Sequence, residues 1–288
     1  MVNNPCRCAG LESRVRKVTR TDSTDNDSFF NKSDSDWFQP TDHTRGPWHK
    51  DYCHAGPPTG LMARAAERLI PEQQLVRLTI NLSRPIPFAG FSVQANIEKK
   101  GRKVSLASCI LKDAEDRVCA RGETLHMSIQ SGIDSPQYPG AANDVPLPGS
   151  GVPGNFPISR TLHDLPCFAG TGVETRYAPG HGAEPGPTIA WIRTVPLLPD
   201  EIPSPFQRMC PMADCGNAFG RNAEPWEVNF MNPDLTIAMF RPPEGEWMGS
   251  HAVGHWESSG IGLADATLLD EKGIVGRAIQ TLLLQPAE

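Results

Sequence analysis

The chain has 288 residues, room for one large domain or two of ordinary size, and its net charge of −6 with a pI near 5.8 leaves no basic footprint for a nucleic acid. No apolar stretch approaches the ~20 residues needed to cross a bilayer, and no basic region followed by a hydrophobic one opens the chain, so a cytoplasmic protein without a membrane partner is expected. The eight cysteines (6, 8, 53, 109, 119, 167, 210 and 215) follow no disulfide framework, and the Cys6/Cys8 pair lacks the second ligand pair a metal would need, so reduced thiols and no metal are expected.

In chain order, residues 1–27 are polar and read as a mobile tail. Trp37-Phe38-Gln39-Pro40 reads as an opening strand and Arg45-Gly46-Pro47-Trp48 as a loop. From Pro57 to Ile70, prolines stand in a first turn where their missing N–H costs nothing, and Leu61, Met62, Ala65, Leu69 and Ile70 recur at helical spacing, predicting one amphipathic helix. Leu78, Ile80 and Leu82 then alternate with polar residues, as do Phe91, Val93, Ala95 and Ile97, which is strand period. Two further strands are expected over 104–112 and 118–127, around a turn at 113–116. The stretch 131–187 is dense in proline and glycine and reads as a long crossover linker. A second set of elements follows: a strand at 189–192, a helix near 213–222, and strands near Leu235, Met248, Ile261 and Val275.

The two sets align without a gap at an offset of 157. Leu78-Thr79-Ile80 matches Leu235-Thr236-Ile237, Arg84-Pro85 matches Arg241-Pro242, and the register continues to Glu123-Thr124-Leu125 over Gln280-Thr281-Leu282. A repeat this long is a small domain, so two copies of one fold are predicted over 28–130 and 188–288. Helix first with antiparallel strands after it makes each copy α+β, a sheet wrapped around a central helix.

A strand, one helix and four antiparallel strands in tandem resemble the double hot-dog of the acyl-CoA thioesterase II-like family. His54-Ala55-Gly56-Pro57-Pro58, Ala213-Asp214-Cys215-Gly216-Asn217, Asn232-Pro233-Asp234-Leu235-Thr236, Arg241 to Trp247 and Gly276 to Gln280 are similar to that family's segments, in its order. The resemblance implies hydrolysis of an acyl-CoA to free acid and CoA, with no cofactor, in a homodimer or larger homo-oligomer.

It also implies roles. Asp214 matches the family's aspartate, which takes a proton from water, although an aspartate at a helix start is also an ordinary N-cap. Gln280, on the last strand between Ala278 and Leu282, matches the family's strand glutamine; its amide either orients the water or faces solvent. Asn232 or Thr236 supplies the third polar group, and the spacing leaves both open. A helix amino terminus flanked by Gly216 or Gly56 would hold the oxyanion, because its unpaired N–H groups point outward. His54 is expected to serve as base or bind the thioester carbonyl, or else to cap or pack at the helix start. Phe230 and Met231, with Trp37, Trp48, Trp226 and Phe240, are expected to line an acyl tunnel or the core. Arg84, Arg102, Lys103 and Arg241 are possible phosphate partners.

In the gap-free register Asp214 falls opposite Pro57 and Gln280 opposite Glu123, so the first copy is expected to be catalytically degenerate. Other chemistries have less support. There is no G-x-S-x-G elbow; Cys215 beside a carboxylate is a poor thiolate; His251 and His255 lie on one strand face without a third ligand. A hydratase on the same architecture would carry an Asp and a His five apart, which neither helix start has. A non-catalytic acyl-CoA binder is the remaining alternative.

Overall fold

The computed structural model describes residues 27–33, 36–134, 145–157 and 165–287. The expected tail therefore lies outside the described residues save for Asp27, and Cys6 and Cys8 with it. The first copy contains β1 (Phe30–Lys32), β2 (Trp37–Pro40), α1 (Gly56–Leu69), β3 (Gln74–Leu82), β4 (Phe91–Lys99), β5 (Val104–Lys112) and β6 (Val118–Met127). The stretch read as a linker contributes β7 (Val152–Gly154) and β8 (Val173–Tyr177), so part of it is sheet. The second copy follows with β9 (Thr188–Thr194), α2 (Pro205–Ala213), α3 (Gly216–Phe219), β10 (Val228–Met231), β11 (Asp234–Met239), β12 (Met248–Trp256), β13 (Ile261–Asp270) and β14 (Gly273–Pro286).

All the strands join one antiparallel sheet in the order β1-β2-β4-β5-β6-β3-β11-β14-β13-β12-β9-β8-β7, with β10 paired to β14. Outward from its centre, where β3 lies against β11, the two halves run in matching order, β6-β5-β4-β2-β1 on one side and β14-β13-β12-β9-β8 on the other, with β7 added at the second edge. There Thr79 faces Thr236, Leu78 faces Ile237 and Ile80 faces Leu235. These are the residues that the offset of 157 equates, so a pseudo-twofold axis passes through the Thr79–Thr236 pair. The two hydroxyls bond each other at 3.1 Å. Period-two alternation puts Leu78, Ile80, Leu235 and Ile237 on the inner face, where they join one continuous core with both helices.

The offset holds strictly over β4 and β12 and at the start of β5 and β13, but the helices depart from it. α1 begins at Gly56 and α2 at Pro205, 149 residues later, well before the helix expected near Ala213. Ser204 caps α2 by accepting from Gln207 N at 3.2 Å, and Pro205 fills the first turn. α2 stops at Ala213 because Cys215 N turns back to Met212 O at 2.9 Å, tightening the last turn, before the chain restarts as α3. Asp214 therefore stands at the carboxyl end of α2, and neither helix uses it as an N-cap.

A second departure follows the β13–β14 hairpin. Four residues separate Leu269 from its partner Ile274, where five separate Lys112 from Val118, so the last strand slips by one residue. Ala107 pairs with Thr124, and its mate Ala264 pairs with Gln280. The structural counterpart of Gln280 is thus Thr124 rather than Glu123. A one-residue slip exchanges the faces of a strand: Gln280 and Thr124 are buried, and Glu123 is exposed with its true mate Ile279.

Candidate active site

The break between α2 and α3 hands a carboxylate to groups from three other elements. Asp214 is only 5% exposed. Its Oδ1 accepts from Asn232 Nδ2 at 3.1 Å and from Gln280 Nε2 at 3.2 Å; the same Gln280 amide also donates to the Asp214 carbonyl at 3.2 Å. Its Oδ2 lies 3.2 Å from His54 Nδ1. The Gly56 N–H, 3.2 Å from the same ring nitrogen, is shared between that nitrogen and the carboxylate at the amino end of α1.

Asn217, the second residue of α3, fixes the two amides. Its backbone N–H donates to Gln280 Oε1 at 2.9 Å and its Nδ2 to Asn232 Oδ1 at 3.1 Å. With both amide oxygens so engaged, the NH2 groups of Gln280 and Asn232 can only point toward Asp214. Asn217 is a member of the site that spacing did not single out, although it ends the Ala213-to-Asn217 segment.

Burial raises the Asp214 carboxyl to about 7, against the lowering effect of Asn232, the Gly56 N–H and Gln280. Burial pushes the His54 imidazole down to about 3. The ring is therefore neutral, and its 3.2 Å contact with Asp214 is not an ion pair. His54 stacks on Phe168, with centroids 4.1 Å apart and planes at 15°, which fixes the imidazole against the carboxylate. Cys215 lies 4.0 Å from His54 Nε2, but desolvation drives its thiol well above the ordinary range, and it donates to Pro211 O at 3.0 Å. It stays a thiol.

The remaining sequence candidates fall elsewhere or serve other ends. Thr236 sits on the pseudo-axis bonded to Thr79, so of the two open choices the structure brings Asn232 to Asp214 and not Thr236. Gly216 and Gly56 answer to packing. A Cβ on Gly216 would lie 3.0 Å from Gln280 Oε1, and one on Gly56 would lie 2.8 Å from Pro211 Cα, where the helices touch. The N–H of Asn217 and that of Gly56 already bond side chains, so neither is the free oxyanion donor that a helix amino terminus suggested. Phe230 is buried against Trp48 and Trp256, with centroids 5.9 and 5.4 Å away; Trp226, Met231 and Phe240 are exposed, so this set forms no enclosed tunnel. Arg241 makes a bidentate pair with Asp270 at 2.5 and 2.7 Å, and Arg84 donates to Val118 O at 2.8 Å. Both are structural contacts.

The sequence models of two domains match this chain: the acyl-CoA thioesterase N-terminal domain over residues 44–127 and the acyl-CoA thioesterase C-terminal domain over 145–284. The chain belongs to the acyl-CoA thioesterase family. It is a thioester hydrolase acting on acyl-CoA, and the second match begins inside the stretch read as a linker, ahead of β7 and β8. Solved structures similar to this thioesterase share its fold. A candidate thioesterase from Novosphingobium aromaticivorans is 19% identical, covering 89% of this chain and 98% of its own, with a TM-score of 0.69. A hot-dog protein from Alicyclobacillus acidocaldarius is 15% identical over 89% and 96%, with a TM-score of 0.66. An acyl-CoA thioesterase II from Mycobacterium marinum is 15% identical over 90% and 96%, with a TM-score of 0.60. No curated protein sequence matches significantly. The thioesterase is thus a double hot-dog. Among the described residues, no helix is long and apolar enough to cross a membrane, and no three His, Cys, Asp or Glu side chains cluster as metal ligands.

Proposed function

We propose that this thioesterase cleaves its acyl-CoA with Asp214 as general base. The observation that carries the reading is one buried carboxylate, raised to about 7, that receives aimed amide donors from Asn232 and Gln280. A base whose pKa lies near the working pH combines the correct protonation state with adequate driving force. Water attacks the thioester carbonyl carbon and yields its proton to Asp214. The C–O bond forms, the C–S bond breaks, and the proton passes to the departing CoA sulfur, releasing acid and free thiol.

In this reading Asn232, Gln280 and Asn217 hold the carboxylate in place, and His54 is a positioning residue through its Nδ1 contact. Phe230 and Met231, immediately before Asn232, supply apolar contact for the acyl chain. We read the enzyme as a cytoplasmic homodimer or larger homo-oligomer, which light scattering of the purified chain tests. Thiol release across a panel of acyl-CoA esters tests the chemistry: release from at least one ester is expected, with loss in Asp214→Asn. Undiminished release in the variant removes Asp214 from the mechanism.

A further inference from the structure

The pseudo-twofold carries the carboxyl end of α2, set against the amino end of α1, onto the carboxyl end of α1, set against the amino end of α2. That mate of the Asp214 site is not empty of chemistry. Glu67, in the last turn of α1, accepts from Ser204 Oγ at 2.8 and 2.9 Å and from Gln207 Nε2 at 2.7 Å, both on the first turn of α2 or its cap. Burial raises the Glu67 carboxyl, as it does Asp214. Like Asp214, this carboxylate is held by neutral donors, here from the opposite helix and its cap.

Beside Glu67 a cavity of about 590 Å3 opens, lined by apolar Leu75, Phe206 and Met239 and, on its rim, by the ion-paired Arg64, Arg68 and Glu201. Gln73 forms one side and is 9% exposed. Its Nε2 donates to Gly101 O at 2.8 Å, but its Oε1 is buried with no partner. An orphaned buried acceptor costs roughly 1–3 kcal/mol unless a donor reaches it. Gln73 is also the wall shared with a neighbouring cavity of about 380 Å3, whose lining includes Lys100 and Arg102. The two cavities, which share Gln73, thus bring together the cationic Arg102 and the Glu72-paired Lys100, an amide acceptor in need of a donor, a carboxylate and a partly apolar chamber. The pantetheine thioester of an acyl-CoA presents the complementary series: phosphates, amide N–H donors, the thioester and an acyl chain.

We infer that the Glu67 cavity is a second acyl-CoA-binding site, the pseudo-symmetric mate of the Asp214 site, in which Gln73 Oε1 accepts from a pantetheine amide. The inference takes its ligand class from the thioesterase reading, but it assigns no hydrolysis to this site. α1 rises about 1.5 Å per residue from Gly56, at the Asp214 site, to Glu67 in its last turn, so the two sites stand roughly 16 Å apart along the helix pair. One chain can hold two ligands.

Titration calorimetry of the full chain with S-hexyl-CoA, a thioether that cannot be hydrolysed, tests this. Two molecules per chain are expected in the unaltered protein and one in Glu67→Gln. Because Glu67 also braces α2, Ile202→Trp provides the second variant: Ile202 lines the cavity yet is 98% exposed, so the larger ring narrows the chamber without touching the core. One molecule is expected there too. A single molecule or none bound by the unaltered chain, or two retained in both variants, overturns the inference. Failure of the base assignment is read separately, from thiol release by Asp214→Asn. Two bound molecules with that variant fully active would sink the mechanism and spare the second site.

Discussion

Asp214→Asn separates catalysis from folding because the site can hold the amide as well as the carboxylate. An asparagine Oδ1 can still accept from Asn232 and Gln280, and its NH2 group faces His54 Nδ1 as a donor. The folded carboxyl titrates near 7 against an ordinary 3.8, about three units. Because the folded value is raised, the native state holds a proton that the unfolded chain releases between these two pH values. At 1.36 kcal/mol per unit, wild-type stability from this group is full below pH 4, falls from pH 4 to 7, and is lower by up to about 4 kcal/mol above pH 7. The variant has no such loss. Urea unfolding should therefore show Asp214→Asn as the more stable protein at pH 8, with the difference gone below pH 4. Thiol release should fall by roughly 10²–10⁴-fold, the range for removing a general base. A variant less stable than wild type at pH 8 would refute the burial-driven shift; equal turnover would refute the base.

The pH profile of kcat/KM should rise with pH and level off above about 7, and a flat profile from pH 5 to 8 would contradict a base of that pKa. Asn232→Ala removes a donor that favours the ionised form, so the acid limb should move to higher pH while turnover drops; an unmoved limb would detach Asn232 from Asp214. Gly216→Ala places a methyl 3.0 Å from Gln280 Oε1 and should lower kcat, with far-ultraviolet circular dichroism preserved. Thr236→Val breaks one hydroxyl contact on the pseudo-axis and should cost about 1 kcal/mol in urea unfolding with kcat unchanged. A collapse of kcat there would return Thr236 to the site.

Much of the fold is legible in the chain because period-two alternation and the helical spacing of Leu61 and Met62 report burial directly, and burial is what each element is for. The gap-free match over 78–85 marked the two strands that meet at the centre of the sheet. The offset of 157 sets the second copy's helix late, at Ala213, whereas the helix's own start signal is local. Ser204 with Pro205 and Gln207 is a cap, a first-turn proline and a third-position glutamine, and it marks the helix start without any repeat. Within 131–187, β7 is a three-residue strand held by pairing, whereas Val173-Glu174-Thr175-Arg176-Tyr177 of β8 alternates strand formers with charged residues, a local signal set among prolines and glycines.

The site was legible in its residue types but not in its symmetry. Asp214, Asn232 and Gln280 are polar residues in apolar settings, and that contrast is a property of sequence. Which residue of the first copy each one replaces is a property of two insertions and deletions that no linear register contains. One shifts α2 toward the amino terminus by eight residues relative to the strands. The other shortens the β13–β14 turn by one and rotates the last strand onto its other face. In the gap-free register Thr281 would stand opposite Ala264 in the inward place of Gln280, and the amide facing Asp214 would share the exposed face of Glu123. The broken symmetry of the two halves is therefore a matter of register first and of side-chain identity second. The same reasoning directs attention in the first half away from Pro57 and Glu123, the formal opposites of Asp214 and Gln280, and toward Glu67 at the far end of α1, which the gap-free alignment instead sets opposite Glu224, the ion-pair partner of Arg221.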